Sequence, residues 1–359
     1  ANTVPSKLAP ASDVANLSLL GYDPLVYYTG RGPLEAANMG IALKEPDVAF
    51  RCNTVTVSKE IMEDYSAGHI SDEEAKTLIE FIDEKIGSQG IKFYPGMSYR
   101  HLTVFDTEKL KIEKEDLIKT ICTPPHDIAG KRIARHLPRG KMSGLLTDLM
   151  LKSQDVLSGH EINRVRVDLG ENPANMIWLW GQGKKPNMPL FKDKFGLRGS
   201  IISAVNLLNG IGRIVGLDVI KVPGATGYYD TNYKGKADYA INSLAKKDFV
   251  FVHVEAPDEA GHNGDTRAKI SSIENFDRLV VGTVLEHFKK TGEDFRVLVT
   301  SDHATPIAVR THTRDPIFFA LYGKGVGKDN VTAFNEVSAE KADLRLKDGY
   351  KIIDRLISK

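Results

Sequence analysis

The chain has almost no cysteine: Cys52 and Cys122 are the two in 359 residues. Two thiols in a chain this long exclude a disulfide framework, and no CxxC pair exists to form a metal knuckle. Nor is there an excess of charge of either sign. Lys+Arg number 48 and Asp+Glu 47, a formal net charge of +1. No global field therefore draws in nucleic acid or an anionic membrane, and neither is expected as a partner. No apolar run approaches the roughly 18–20 residues of a membrane-spanning helix. Internal repeats, low-complexity tracts and long linkers are missing too. The opening Ala1-Asn2-Thr3-Val4-Pro5 lacks methionine and has no charged segment ahead of an apolar one, so it does not read as a secretory signal. A reducing cytoplasm is the expected compartment. There is no Walker A loop and no kinase-type glycine-rich loop. Gly210-Ile211-Gly212 lacks the further glycine of a nucleotide fingerprint and lies inside a helical pattern, which reads as packing.

What is present is ordinary for a globular protein: 42% hydrophobic and 26% charged residues, in a length that suits about two domains. Residues 1–40 are loop-rich, with a short helical segment from Leu34. Residues of about 45–185 are mixed. They hold strand-like runs at Val48–Cys52 and Thr54–Val57. They also hold an amphipathic helix behind Ser71-Asp72-Glu73-Glu74, a capping box. From about residue 195 the pattern becomes regular. Strands are expected at Gly199–Ala204, Asp218–Val222, Asp248–Glu255, Phe295–Thr300 and Pro316–Tyr322. Helices are expected at Asn206–Gly216 and Ala268–Phe288. This alternation predicts an α/β fold with a mostly parallel sheet and helices on both faces. The expected division is a core of 1–44 with 186–359, and a smaller inserted α+β domain over 45–185.

In such a sheet, sites lie beyond the carboxyl ends of the strands. Three polar motifs fall there. Asp258 and His262, four apart, share one face of a helical turn. Asp302 and His303, adjacent after a strand, point in different directions and suit two neighbouring metals. His312 lies just before the strand at Pro316. A lone Asp-x-x-x-His is ordinarily a surface ion pair; three histidine motifs at strand mouths argue for metal. Mixed carboxylate and imidazole ligation suits Mn²⁺ or Zn²⁺ better than Mg²⁺ or Ca²⁺. His69, His136, His160 and His287 read as surface residues, and His253 as packed within a strand.

Ser12 stands where a loop runs into a helix. It reads as an N-cap. The competing reading is a nucleophile at a helix N-terminus, where N–H groups favour a phosphate and a metal would lower the hydroxyl pKa; on local sequence alone the cap is the ordinary reading.

Ser12-Asp13-Val14-Ala15-Asn16-Leu17, Leu20–Pro24, Tyr28–Ala36, Val48–Asn53, Val222–Gly227, Pro257–His262 and Thr300–His303 resemble the archaeal-type cofactor-independent phosphoglycerate mutases of the alkaline phosphatase superfamily. The resemblance runs in order along essentially the whole chain. It implies an alkaline-phosphatase-like core holding two divalent metal ions, Mn²⁺ first, with Zn²⁺, Co²⁺ or Mg²⁺ as alternatives. The inserted domain would cover the substrate. Ser12 matches the serine that becomes phosphorylated. Asp258, His262 and His312 match the ligands of one metal; Asp302 and His303, with Ser12, match those of the other. Arg31, Arg51, Arg100, His101 and His126 fall in segments that face the substrate, a small phosphorylated acid, though each arginine reads equally as half of a surface ion pair. Lys236 is a further candidate near the catalytic centre, with Lys234 as its rival. The family opens with a strand ending in an Asp-Gly-type motif whose aspartate binds the second metal. That segment is not in this sequence, so the second site is expected to be one ligand short and the core sheet one strand short.

The implied reaction is the glycolytic and gluconeogenic interconversion of 3-phosphoglycerate and 2-phosphoglycerate through a phosphoserine. Competing readings are a related phosphotransferase on the same fold, such as the proposed homoserine kinases with their Ser-Asp-Val-Ala-Asn form, a phosphatase, and a binding protein without catalysis.

Overall fold

One long strand organises residues 29–186. In the computed structural model, which describes residues 1–358, β1 (Asp47–Ser58) is buried at every position but its last. The two strand-like runs are thus a single strand. Asn53, between them, stays in the sheet because its Oδ1 accepts from Trp180 Nε1 at 3.0 Å and its Nδ2 donates to the Tyr65 carbonyl at 3.3 Å. Around β1 lie β2 (Ile61–Asp64), β3 (Ile91–Met97), β4 (Arg100–Asp106) and β5 (Met176–Lys184). β1 pairs antiparallel with β2, β4 and β5, and β3 pairs antiparallel with β4. Helices Asp72–Ile86 and Ser143–Ser158 bury Leu78, Ile82, Leu146 and Met150 in one cluster with Phe50 and Trp178. Ser71 caps the first of these, accepting from Glu74 N at 3.3 Å and donating to the Glu74 carboxylate at 2.9 Å.

This unit begins at Thr29, not at residue 45 as the sequence suggests. The helix Arg31–Asn38 belongs to it: Ala36 packs with Ala49 and Leu102, and Thr29 Oγ1 donates to the Lys184 carbonyl at 2.6 Å. Gly30 permits the approach. It has φ +128°, and a Cβ there would lie 2.1 Å from the Gln182 carbonyl oxygen.

The second unit comprises residues 1–28 and 187–359, of which residues to 358 are described. Its strands are β6 (Gly199–Ile202), β7 (Asp218–Val219), β8 (Phe249–Val252), β9 (Arg296–Thr300) and β10 (Phe319–Gly323). The order β7-β6-β8 is parallel. β9 and β10 form a separate antiparallel pair. The expected single, mostly parallel sheet is therefore two. Parallel pairing needs a crossover element, and the chain between β9 and β10 contains no helix to supply one. β8 and β9 are half-buried and border a common cavity of about 1160 Å³ with a mainly apolar wall. The helix expected at Ala268–Phe288 runs through Thr266–Asn275, a π-helical segment at Phe276–Val281, and Gly282–Thr291. Gly212 is a packing glycine: a Cβ there would meet Ile201 Cγ2 at 2.5 Å. Among the described residues no helix is long and apolar enough to cross a membrane.

Candidate active site

Each polar motif of the second unit is delivered by the end of a regular element. Asp258 and His262 lie on the helix Ala256–Asn263, one turn apart. Asp302 and His303 follow β9, and His312 lies in the loop toward β10. Ser12 opens the helix Ser12–Leu19 but does not cap it. Ala11, in an extended conformation, holds the cap position, and no side chain there accepts from the helix. The serine hydroxyl instead lies 3.0 Å from His303 Nε2.

The remaining groups converge. His262 Nε2 is 3.2 Å from Asp258 Oδ2, and His312 Nε2 is 3.4 Å from Asp258 Oδ1. The two imidazole nitrogens face each other at 2.9 Å. The rings of His303 and His312 lie 3.9 Å apart. Ligand atoms of Asp258, His303 and His312 all fall within 4.8 Å of one another, a grouping that could hold a metal ion. His303 Nε2 is 3.4 Å from Asp302 Oδ2. Thr305 donates to Asp258 Oδ1, and Asn16 Nδ2 donates to Asp302 Oδ2 at 2.7 Å and to the Ser12 carbonyl at 2.8 Å.

Burial opposes ionisation of Asp258, yet hydrogen bonds involving His262, His312 and Thr305 outweigh it and hold the carboxyl well below its usual range. The Asp258 contact raises the His262 imidazole to about 9. Burial, joined by the charges of Asp258, Asp302 and Glu259, pushes the Glu255 carboxyl up to about 8. Burial also pushes His253 down to about 4. The donor set, two carboxylates, three imidazoles and a hydroxyl, fits a divalent ion that accepts nitrogen and oxygen ligands. Imidazole nitrogens aimed at each other across one carboxylate need a shared proton or a cation between them.

Lys236 is fully buried, donates to the His253 carbonyl at 2.9 Å, and is pushed down to about 8 by that burial, with Glu255 opposing. Lys234 is on the surface, ion-paired with Asp238. The structure separates these rivals by burial.

The remaining candidates lie in the 29–186 unit, on and beside its sheet. Arg51 is ion-paired with Glu35 at 3.0 Å and lies over Trp180, its Cζ 4.4 Å from the ring centroid. Arg31 lies 5.7 Å from the same ring, and Arg100 lies 5.3 Å from that of Tyr99. The His126 ring is 5.3 Å from Trp180. Burial lowers the Arg51 pKa, Glu35 opposes, and Arg31 and Arg100 add to the lowering, so these cations crowd one region. His101 is set apart from these residues by its burial. It is 1% exposed, Gly96 N donates to its Nδ1 at 3.0 Å, its Nε2 faces Thr54 Oγ1 at 3.5 Å, and burial pushes it down to about 3. The alternation along β4 turns this ring inward where Arg100 turns outward.

A family model described as 2,3-bisphosphoglycerate-independent phosphoglycerate mutase matches residues 1–163. A Methanosarcina barkeri protein named 2,3-bisphosphoglycerate-independent phosphoglycerate mutase is 51% identical over 359 residues, covering 99% of this chain and 88% of the relative. A Geobacter sulfurreducens protein, named a probable mutase of this kind, is 48% identical, covering 100% and 89%. The chain belongs to the 2,3-bisphosphoglycerate-independent phosphoglycerate mutase family. Among solved structures, a cofactor-independent phosphoglycerate mutase from Thermoplasma acidophilum matches with TM-score 0.62 and 28% identity, covering 96% of this chain and 85% of that one. A Pyrococcus horikoshii protein matches with TM-score 0.77 and 31% identity, covering 97% and 83%.

Within this family member, sequence reasoning missed four contributors. Thr305 lies two residues beyond His303, and Asn16 lies one helical turn beyond Ser12; both spacings were available as signals. Glu35 and Trp180 carried none, because their contacts with Arg51 depend on which strand and helix lie beside β1.

Proposed function

We propose that this protein is a metal-dependent phosphoglycerate mutase that interconverts 3-phosphoglycerate and 2-phosphoglycerate through phosphoserine at Ser12. The observation that carries this is the hydroxyl of Ser12, which has no capping role and faces His303 Nε2 at 3.0 Å beside a convergent carboxylate–imidazole set. Asp258, His262 and His312 would hold one ion, and Asp302 and His303, with Ser12, a second; Mn²⁺ suits this set best, with Zn²⁺, Co²⁺ or Mg²⁺ as alternatives. Bound metal ions would lower the serine hydroxyl pKa and neutralise charge on the transferring phosphoryl group.

Ser12 Oγ attacks phosphorus in line, forming a P–O bond as the bond to O3 of glycerate breaks. The released oxygen takes up a proton. The glycerate reorients, its O2 attacks the phosphoserine, and Ser12 Oγ leaves with a proton restored. Asn16, bonded to both the Ser12 carbonyl and Asp302, fixes the first helical turn against the loop after β9. Arg31, Arg51, Arg100 and His126 are assigned to holding the anionic substrate, which arginine does through paired N–H donors. The fold is read as an alkaline-phosphatase-like core with an inserted substrate-covering unit. That cover would keep water from the phosphoserine, since hydrolysis there yields a phosphatase.

A ³¹P NMR assay of the protein with 3-phosphoglycerate and Mn²⁺ tests the reading. The 2-phosphoglycerate resonance should grow without ATP and stop growing on chelation. Inorganic phosphate as the sole product would establish a phosphatase instead, and an absolute requirement for ATP would establish a kinase.

A further inference from the structure

We infer that Trp180 is a positioning residue, which holds Arg51 and Arg31 in the orientation that binds the substrate's anionic group. The inference rests on the reading of the arginine cluster as the substrate-holding site.

Arg51 and Trp180 are direct cross-strand partners in the β1–β5 pair. Cross-strand side chains on one face lie close enough to pack. Immediately after Trp180 the register slips: Ala49 pairs with Gly183 and Arg51 with Trp180, which leaves two residues of β5 opposite Phe50 alone. This is a β-bulge, a device that re-aims side chains and increases local twist. Gly181 occupies it with φ +62°, and a Cβ there would lie 3.5 Å from both Arg31 Cβ and Arg51 Cδ. The bulge therefore brings the two arginines to one indole.

The indole itself is fixed. Trp180 is 4% exposed, and its Nε1 donates to Asn53 Oδ1 at 3.0 Å. Its face carries the Arg51 guanidinium at 4.4 Å, where cation–π attraction operates. Glu35 takes Arg51 Nη2 at 3.0 Å from the helix Arg31–Asn38. The ring contact and the ion pair together restrict the rotamers open to the guanidinium. The buried Nε atoms of Arg51 and Arg100 have no hydrogen-bond partner, so donor capacity remains that the protein does not consume. A carboxylate or phosphate oxygen is the acceptor that such donors take. Without the ring, Arg51 would regain rotamer freedom, and the substrate would have to bear the cost of ordering it.

The test is a double-substitution cycle on the full protein, read in kcat and KM for 3-phosphoglycerate with thermal unfolding as a fold check. Trp180→Leu should raise KM about ten-fold, and Trp180→Phe about three-fold, with kcat within about two-fold of the parent. Arg51→Lys, which keeps charge but loses the planar guanidinium with its paired donors, should raise KM alone. In the Arg51→Lys background the Trp180 substitutions should raise KM by a markedly smaller factor than in the parent, the remainder acting through Arg31. A merely structural tryptophan would lower the melting temperature and leave KM effects additive. Should Trp180→Leu fail to fold, the Trp180→Phe pair carries the same cycle. Additive effects on KM, or an unchanged KM in the folded Trp180 variant, would overturn the inference while leaving the substrate-site reading intact. An unchanged KM in both Arg51→Lys and Arg51→Met would overturn that reading, and the inference with it.

Discussion

Ser12 and Ser71 each stand at the start of a helix, one in each unit, and they do opposite things. In the 29–186 unit Ser71 turns its oxygen back onto its own helix and closes a capping box with Glu74. In the other unit Ser12 sits one position inside its helix, leaves the cap to Ala11, and aims its oxygen at His303. The contrast extends outward. Around Ser71 the core is filled: β1 is buried on both faces, and Arg166, 4% exposed, meets Glu74 at 2.9 Å and Glu171 at 3.0 Å. Around Ser12 the strands β8 and β9 border a cavity, and histidines face one another across a carboxylate. In the first unit the polar groups around Ser71 satisfy each other and hold a scaffold. Those in the second converge without a complete set of mutual partners, which is the arrangement a metal and a phosphoryl group require.

Substitution of the two serines should break this comparison most visibly. Ser12→Ala should cut turnover by roughly 10⁴-fold or more, as loss of a nucleophile does. Its stability should stay within about 0.5 kcal/mol of the parent, because no cap is lost. Ser71→Ala should do the reverse, with activity retained and about 1 kcal/mol of stability lost. Denaturant unfolding and a steady-state assay on both variants read the two axes. Equal activity losses in the two would erase the distinction.

The filled and open cores should differ next. Phe50→Ala removes a fully buried ring packed edge-to-face on Phe105, at about 3–5 kcal/mol. Phe251→Ala removes a half-buried ring beside the cavity, at about 1–2 kcal/mol. Urea midpoints at unchanged slope measure both, and comparable costs would mean that the core around β8 is as tightly filled as that around β1.

A smaller effect concerns pH in metal-free protein. His262 rises from 6.5 to about 9 on folding, and Glu255 from 4.5 to about 8. Each binds its proton more tightly when folded. Its contribution is therefore complete below its unfolded pKa and lost as pH climbs through its folded one. His253, lowered to about 4, works in the other direction but has finished titrating near pH 6.5. Lys236, lowered to about 8, opposes only at higher pH. Stability should thus fall between about pH 6.5 and 8, and Glu255→Gln should flatten the slope. A melting temperature that rises across that window would contradict the electrostatic account.

Much of this was legible in the sequence, for identifiable reasons. Asp258 and His262 share a helix face because four residues make one turn, and Asp302 and His303 follow a strand end that β-periodicity marks. Periodicity gives a strand but not its direction, so the pattern suits a mostly parallel sheet, whereas β10 pairs antiparallel with β9. Pattern alone also placed Ser12 at the cap. Whether a residue is N-cap or first helical position depends on the backbone angles of its neighbour, here the extended Ala11. The unit boundary was hidden because it rests on Gly30 meeting a carbonyl more than a hundred residues away. His101 looked substrate-facing beside Arg100, and only the sheet shows that adjacent residues on β4 face opposite ways.

The central claim is that Ser12 carries the phosphoryl group between two positions of glycerate. Incubating the protein with 3-phosphoglycerate and Mn²⁺, quenching in acid and mapping peptides by mass spectrometry addresses it directly, because phosphoserine survives acid. The account predicts phosphate on the peptide containing Ser12, absent from Ser12→Ala. Phosphate on an acid-labile histidine, or full turnover in Ser12→Ala, would contradict it.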